Sequence, residues 1–303
     1  MTSPLATEAA PFGRLLTAMA TPFTTDGELD LDAAAALATH LVDNGSDGLV
    51  VSGTTGESPT TTGAEDGRLL AAVIEAVGDR AAILAGVGTN DTRHTVELAE
   101  QAVRAGVDGL LLVSPYYSKP PQSGLLANID AVAAAGGDTP IMLYDIVGRT
   151  GVEISEATYA ELESRPTVVA VKDASADLVR GARLRANSSL ALYAGDDALA
   201  LPWLALGAVG VVSVVSHVAA ARIKAMIEAV DAGDLARARD IDNELLPLIH
   251  AIMGQTQGAI AAKAAVAELG VIPHAGVRLP LTPATDEQVQ VIRAALKDAD
   301  LLA

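Results

Sequence analysis

The sequence contains no cysteine and very few aromatic residues. Without cysteine, disulfide bonds, thiol nucleophiles and cysteine-ligated metal centres are all excluded. Only 3% of the 303 residues are Phe, Trp or Tyr, whereas 50% are hydrophobic. A folded core must therefore consist mainly of Ala, Val and Leu.

Long apolar runs and an excess of positive charge are missing as well. No apolar run approaches the ~18 residues that a membrane-spanning helix needs, and the N-terminal segment MTSPLATEAAPFGR has no signal-peptide core. The formal net charge is −18 at pH 7, and an acidic surface is repelled by nucleic acids and anionic membranes. We therefore expect a soluble, cytoplasmic protein whose partners include neither nucleic acid nor a membrane.

Eight short apolar segments recur along the chain up to about residue 230 and predict β-strands. Most are nearly continuous apolar runs, typical of parallel strands covered on both faces, and each precedes a stretch with helical apolar spacing. The segments are 15–20, 48–53, 81–87, 109–114, 140–145, 168–173, 190–195 and 210–214. Eight such units predict an α/β fold, a (β/α)8 TIM barrel. The alternative, a doubly wound sheet, usually has fewer strands and a glycine-rich phosphate turn after the first.

The pattern changes to helices alone after residue 230. Apolar spacing predicts helices over 234–252, 258–269 and 285–298. We therefore expect a barrel domain at residues 1–230 and a C-terminal helical extension at residues 231–303 that packs on the barrel. Within the barrel, Gly67 interrupts a predicted helix at a cost of ~1 kcal/mol relative to Ala, and the sequence offers no reason for it.

Lys172 follows four apolar residues in the segment VVAVKD (168–173), where a lysine is unexpected. Active sites of (β/α)8 barrels lie at the carboxyl ends of the strands. Burial there would lower the pKa of the lysine and leave a neutral amine able to attack a carbonyl carbon. A single strand-end lysine more often extends its charge to the rim or pairs with a carboxylate such as Asp173. The other four lysines fall in a loop or on predicted helices, where they need no special explanation.

Polar residues follow other predicted strands at the same rim. Tyr117 and Tyr144 could transfer protons during Schiff-base chemistry, although paired tyrosines more often fill cores or interfaces. The segment GTTGES (53–58) combines glycines and hydroxyls in a way that suits a carboxylate or phosphate, although such clusters are often ordinary loops. Arg149 could bind a carboxylate through two hydrogen bonds.

Two other patterns do not support a cofactor site. The segment GVGTND (86–91) lacks the third glycine of a dinucleotide-binding fingerprint. The five histidines show no metal-ligand spacing. We therefore expect no organic cofactor and no metal.

In combination, the motifs resemble those of the dihydrodipicolinate synthase family. They are, in chain order, GTTGES, PYYSKPP, LYDIVGRTG, VVAVKDA, AGDD and GVVSV, and the similarity extends to RLPLTPATDEQVQVIRAAL (278–296). The resemblance is strongest with actinobacterial members. It implies a lyase that condenses pyruvate with L-aspartate 4-semialdehyde to 4-hydroxy-tetrahydrodipicolinate, the first step of the diaminopimelate and lysine branch.

The resemblance also implies catalytic roles. Lys172 would form the Schiff base with pyruvate, and Tyr144 would act as the general acid and base. Thr54 and Tyr117 would complete a proton relay. Tyr117 would reach the site of the neighbouring subunit, which implies a homodimer, and the family usually forms a homotetramer from two such dimers.

Substrate contacts follow from the same resemblance. Thr55 would hold the pyruvate carboxylate, and the backbone of Val212 would line the same pocket. Gly195 is a further substrate-binding position, and Arg149 would bind the carboxylate of the second substrate. Val147 departs from the family pattern, which has proline there, so we expect the loop that presents Arg149 to be less rigid.

Two alternatives remain open at this point. Related pyruvate-dependent lyases, such as N-acetylneuraminate lyase and keto-deoxy sugar acid aldolases, share the lysine and the tyrosine. The consecutive threonines Thr54 and Thr55 and the presence of Arg149 favour the synthase. The second alternative is a non-catalytic ligand-binding barrel, which would be expected to lack Lys172, Tyr144 or Tyr117.

Overall fold

The computed structural model describes residues 10–302, in which eight parallel strands close into a barrel. Residues 1–9, which hold most of the N-terminal segment considered above, and residue 303 lie outside the described residues. The strands are β1 (Leu15–Ala18), β2 (Gly48–Val51), β3 (Ala82–Gly86), β4 (Gly109–Val113), β5 (Ile141–Asp145), β6 (Val168–Asp173), β7 (Ala191–Ala194) and β8 (Gly210–Ser213). Each pairs with the next, and β8 pairs with β1. The predicted (β/α)8 barrel is therefore confirmed.

The strands lie where the apolar segments predicted them, with ends displaced by no more than two residues. Successive side chains of a barrel strand point alternately into the barrel and towards the surrounding helices. Both directions are buried here, as in β5, where all five residues are buried. A nearly continuous apolar run is therefore required, and any polar residue within it needs a partner or a function.

Helices alternate with the strands and surround the barrel. They are α1 (Leu31–Asp43), α2 (Gly63–Val77), α3 (Thr92–Ala105), α4 (Gln122–Gly136), α5 (Val147–Thr150), α6 (Glu156–Leu162), α7 (Leu178–Asn187), α8 (Ala200–Ala205), α9 (Ser216–Asp231), α10 (Leu235–Met253), α11 (Gly258–Glu268) and α12 (Asp286–Asp298). Polar side chains cap the N-terminal ends of several of these helices. Thr62 and Glu65, for example, form a reciprocal capping box at the start of α2.

The last three helices, α10 to α12, begin and end within one residue of the predicted bounds. Helix α10 packs on α9, and α11 contacts α9, α10 and α12. The helices after the barrel therefore pack against its outer layer. The division into two domains at residue 230 stays a prediction. The predicted boundary falls at the end of α9, which ends at Asp231, and α10 begins at Leu235.

The core is largely aliphatic, as the composition predicted, with Trp203 as its largest fully buried side chain. Helix α7 makes room for the indole with a glycine. A Cβ atom at Gly181 would lie 1.9 Å from a ring carbon of Trp203. A larger residue at this position would therefore force α7 away from α8, which carries Trp203.

Residues 10–302 contain neither a membrane-spanning helix nor a cluster of metal ligands. None of their helices has the length and apolar character needed to cross a lipid bilayer. No group of three or more His, Asp or Glu side chains in this part of the chain is placed to hold a metal ion.

Candidate active site

Two adjoining cavities lie at the carboxyl ends of the barrel strands. The larger has a volume of about 290 Å³ and the smaller, which reaches Lys172, about 40 Å³. The residues that line both are Gly53, Thr54, Leu111, Tyr144 and Arg149. The shared walls make one site, with a wide mouth and a narrow inner part.

Lys172 lies at the inner end of this site and is 5% exposed. Its backbone pairs with that of Tyr144 across β5 and β6, and its Nζ atom lies 4.2 Å from the centre of the tyrosine ring. Burial lowers the pKa of Lys172 to about 8; the charge of Asp197 opposes this shift, and that of Arg149 adds to it. Lys172 takes part in none of the ion pairs formed among residues 10–302. The lowered pKa increases the share of Lys172 that is neutral near pH 7 and can act as a nucleophile.

Tyr144 is the buried hydroxyl group beside the lysine. Burial raises the pKa of its phenol, while Arg149 and the Thr54 hydroxyl counteract part of the shift and Asp196 adds to it. Tyr144 therefore keeps its proton near neutral pH. A protonated phenol next to a neutral amine suits proton transfer to and from a reacting carbonyl.

The GTTGES segment forms a tight turn directly after β2. The backbone N–H groups of Glu57 and Ser58 donate to the carbonyl oxygens of Thr54 (3.1 Å) and Gly53 (3.3 Å). Thr55 is buried within the turn and lines the inner cavity with Thr54. The turn thus presents two hydroxyl groups to the site beside Lys172.

Arg149 reaches the site from the short helix α5, which follows β5. Val147, where the family has proline, occupies the first position of this helix. Proline is favoured at that position because its φ is already helical and its missing N–H has no partner in the helix. The structure therefore gives a physical reason for the usual proline.

Tyr117 contributes to the mouth of the larger cavity, but its side chain is 89% exposed. Its backbone has a φ of +71°, in the left-handed region that non-glycine residues rarely adopt.

Val212 and Gly195 are not among the residues that line the two cavities. Val212 is buried in β8, and the N–H of Gly195 donates to the Asp173 carbonyl oxygen at 2.8 Å.

Asp197 belongs to this region although sequence reasoning gave it no role. It is buried and accepts hydrogen bonds from the Ser213 hydroxyl and from the backbone N–H groups of Val214 (2.9 Å) and Val215 (3.3 Å). Its charge raises the pKa of Lys172 against the effect of burial. The AGDD motif was the signal that could have identified it.

The C-terminal helical extension also lines the inner cavity, which the sequence did not predict. The contributing residues are Met253, Gln257 and Gly258, around the junction of α10 and α11. Their spacing is that of ordinary helices and carries no signal for a site. Only the packing of the extension on the barrel brings them to Lys172.

Lys263 of α11 is a second buried lysine, contrary to the expectation of an unremarkable helix position. It forms an ion pair with Glu57 of the GTTGES turn and donates to the Gly276 carbonyl oxygen at 2.7 Å. Burial lowers the pKa of Lys263 to about 8, against the opposing effect of the Glu57 carboxylate. Unlike the amino group of Lys172, that of Lys263 has two partners, the Glu57 carboxylate and the Gly276 carbonyl oxygen.

These features define a class of protein. A (β/α)8 barrel has the arrangement of an aldolase-type lyase that forms a Schiff base when, as within residues 10–302, a buried lysine without an ion-pair partner lies beside a buried tyrosine at its carboxyl face. The family model described as "Dihydrodipicolinate synthetase family" matches residues 11–299. The chain belongs to this family.

Individual relatives agree with this assignment. The 4-hydroxy-tetrahydrodipicolinate synthase of Kineococcus radiotolerans is 55% identical over 98% of this chain and 97% of its own length. That of Acidothermus cellulolyticus is 57% identical over 94% of this chain and 91% of its own. The crystal structure of the enzyme from Cyanidioschyzon merolae with lysine bound gives a TM-score of 0.93 at 44% identity, covering 96% of this chain and 99% of that one. The resemblance inferred from the motifs, including its actinobacterial character, is confirmed.

Proposed function

We propose that this chain is a lyase that condenses pyruvate with L-aspartate 4-semialdehyde to give 4-hydroxy-tetrahydrodipicolinate, the first step of the diaminopimelate and lysine branch. The observation that carries the proposal is the state of Lys172, which is buried, unpaired within residues 10–302 and next to the Tyr144 ring. The same reaction gives the close relatives their name.

The chemistry follows from a neutral lysine amine. The Nζ atom of Lys172 attacks the keto carbon of pyruvate, and loss of water leaves an imine. The imine makes the methyl protons acidic, and loss of one gives an enamine that attacks the aldehyde carbon of the second substrate. The amino group of that substrate then adds to the imine carbon, closes the ring and releases Lys172. Tyr144 and Thr54 transfer the protons that these steps require.

The two substrate carboxylates have separate partners in this scheme. Thr55, which lines the inner cavity together with Lys172, holds the carboxylate of pyruvate. Arg149 binds the carboxylate of the aldehyde through its guanidinium group. Arg149 also lines the larger cavity, which Thr55 and Lys172 do not, and this supports the division.

The oligomer is part of the proposal because of Tyr117. An exposed tyrosine held in a left-handed conformation at the mouth of the cavity is suited to enter a neighbouring site. We assign it to the proton relay of the adjacent subunit in a homodimer, and two dimers form the homotetramer.

The acidic surface favours solubility, and we place the enzyme in the cytoplasm.

Reductive trapping tests the nucleophile. Incubation with pyruvate and borohydride should add one reduced pyruvate adduct per chain, on the peptide that contains Lys172. Lys263 is an internal control, since it is also buried but engaged by Glu57, and its peptide should stay unlabelled. An adduct elsewhere, or full activity of Lys172→Ala, would overturn the assignment.

A panel of aldehydes separates the synthase from the sugar-acid lyases. Consumption of pyruvate should be fastest with aspartate semialdehyde, because Arg149 is matched to its carboxylate. A preference for a polyhydroxylated aldehyde would show that the Schiff-base site is correct and the second substrate is not.

A further inference from the structure

The turn that carries Thr54 and Thr55 lies between two residues in the left-handed region. These are Ser52, with a φ of 56°, and Glu57, with a φ of 57°. Neither is a glycine, and such residues keep this conformation only where their surroundings fix it. The contacts of Ser52 and Glu57 therefore determine the shape of the turn.

The two ends of the turn are fixed by different parts of the chain. The Ser52 hydroxyl donates to Asp66 at 2.8 Å, within the barrel. Glu57 is buried and forms an ion pair with Lys263 of α11, and its other oxygen accepts from the Arg278 N–H at 2.9 Å. The second end of the turn is thus held by the C-terminal helical extension.

Stability alone does not account for this ion pair. Lys263 is fully buried, with its amino group 4.1 Å from the centre of the Phe23 ring. Burying two charges costs much of the energy that their attraction returns, so an apolar pair of similar volume is often at least as stable. What an apolar pair does not provide is a directional contact that fixes the backbone of Glu57.

We propose that Glu57, Lys263 and the backbone of Arg278 form a positioning device that holds the turn in the shape needed to bind the pyruvate carboxylate. The C-terminal extension then contributes to pyruvate binding by holding this turn. Its residues Met253 and Gln257, which line the cavity at Lys172, are consistent with this role. The inference rests on the proposed function.

The test measures pyruvate binding and folding separately. The pyruvate concentration that half-saturates borohydride trapping reports on the turn without the second substrate, and thermal unfolding reports on the fold. In Lys263→Met, the half-saturating concentration should rise about tenfold or more, the range that follows from losing one charge-assisted hydrogen bond. The KM for aspartate semialdehyde should change less than about twofold, because Arg149 does not contact this device.

A double variant separates positioning from folding. Glu57→Gln combined with Lys263→Met removes both buried charges, so the melting temperature should recover most of what Lys263→Met loses. The half-saturating pyruvate concentration should stay raised, since the directional contact is still missing. Arg293→Met is the control: it breaks the ion pair with Glu268 inside the extension and should leave pyruvate trapping unchanged.

The outcomes distinguish this inference from the proposed function. If the double variant regains normal pyruvate half-saturation with its stability, Glu57 and Lys263 are structural and the inference is overturned. If Lys263→Met does not fold, the half-saturating pyruvate concentration of the double variant tests the inference by itself. If the unmodified protein forms no adduct at Lys172, the proposed function fails, and the inference fails with it.

Discussion

Lys172 and Lys263 are both buried, and desolvation lowers the pKa of each to about 8. They differ in what surrounds the amino group. Lys263 meets a carboxylate and a carbonyl oxygen, whereas the neighbours of Lys172 are the ring of Tyr144 and a cavity. Reactivity at the residue scale therefore depends on the partners of the amine more than on its burial.

Schiff-base formation should follow the ionisation of Lys172. Only the neutral amine attacks, so the trapping rate should rise with pH through a midpoint near 8. Arg149 lowers the pKa of Lys172, so Arg149→Met should move the midpoint to higher pH. Trapping rates measured from pH 6 to pH 10 at pyruvate concentrations far below saturation report the ionisation of the free enzyme and check this. A midpoint unchanged in the variant would contradict the electrostatic role of Arg149.

Arg149 should also distinguish the two substrates. Arg149→Ala should raise the KM for aspartate semialdehyde by one to two decades and that for pyruvate much less, because a charge-assisted hydrogen bond contributes ~1.5–3 kcal/mol. Arg149→Lys keeps the charge without the two-pronged geometry and should fall between. Equal effects on both substrates would indicate that the arginine supports the fold instead.

At the scale of elements, the register of β5 and β6 places Tyr144 beside Lys172. Tyr144 pairs with Lys172, and the next residues, Asp145 and Asp173, pair with each other. Because side chains alternate along a strand, the two aspartates point towards the helix layer. There Arg180 of α7 binds both, with 2.7 Å to Asp173, and burial raises the pKa of Asp145. One arginine thus joins the two strands directly behind Tyr144 and Lys172.

Loss of this arginine should be costly. Arg180→Met leaves two buried carboxylates without their cation, so we expect a loss of about 3–5 kcal/mol in the free energy of unfolding. Arg183→Met is the matched control on the same helix. Its side chain is 62% exposed and pairs with Glu156 at the surface, so it should cost less than about 1 kcal/mol. Urea unfolding of both variants at neutral pH gives the comparison, and similar losses would refute the special role of Arg180.

The glycine inside α2 has an explanation at the same scale. A Cβ atom at Gly67 would lie 2.6 Å from Nε2 of Gln101, the atom that donates to the Gly63 carbonyl oxygen. The glycine therefore lets α3 attach to α2 through this hydrogen bond. Its cost in helix propensity is offset by a contact between helices.

A pair of variants can separate the two effects. Gly67→Ala alone should change the free energy of unfolding by less than ~1 kcal/mol, since the gain in propensity accompanies a displaced Gln101. In a Gln101→Ala background the same substitution should stabilise by ~1 kcal/mol, because nothing is left to displace. Thermal or urea unfolding of the four proteins measures the difference. Equal effects in both backgrounds would contradict this explanation.

At the scale of the whole molecule, the site extends beyond the barrel. The C-terminal extension supplies part of the cavity wall and the cation that binds Glu57. In the proposed function, the exposed Tyr117 adds a further contribution, from a neighbouring subunit. The complete site would then consist of a barrel, its extension and a residue of a second chain.

Mixed oligomers test the last of these contributions. Tyr117→Phe and Lys172→Ala chains should each be impaired, but refolded together they should form mixed dimers with one intact site. Activity should then rise well above that of either parent. Refolding each variant with itself is the control. Mixed dimers confirmed by mass but without recovered activity would place Tyr117 outside the neighbouring site.

The sequence alone determined the strands, most of the helices and the residues at the rim. Apolar runs and helical spacing are local patterns, so β6 and α10 were predicted within one residue of their ends. The rule that barrel sites lie at the carboxyl ends of strands then indicated Lys172 and Tyr144. The chemistry of the guanidinium group indicated Arg149 as a carboxylate partner, and the family motifs added a role for Thr55.

Only the tertiary structure decided which distant groups meet. Glu57 and Lys263 are 206 residues apart, and Arg180 contacts Asp145 across 35 residues. A charged residue on a helix has the same local pattern whether it faces solvent or a buried carboxylate. Its partner is fixed by the packing of whole elements, which the spacing of residues within one element does not encode.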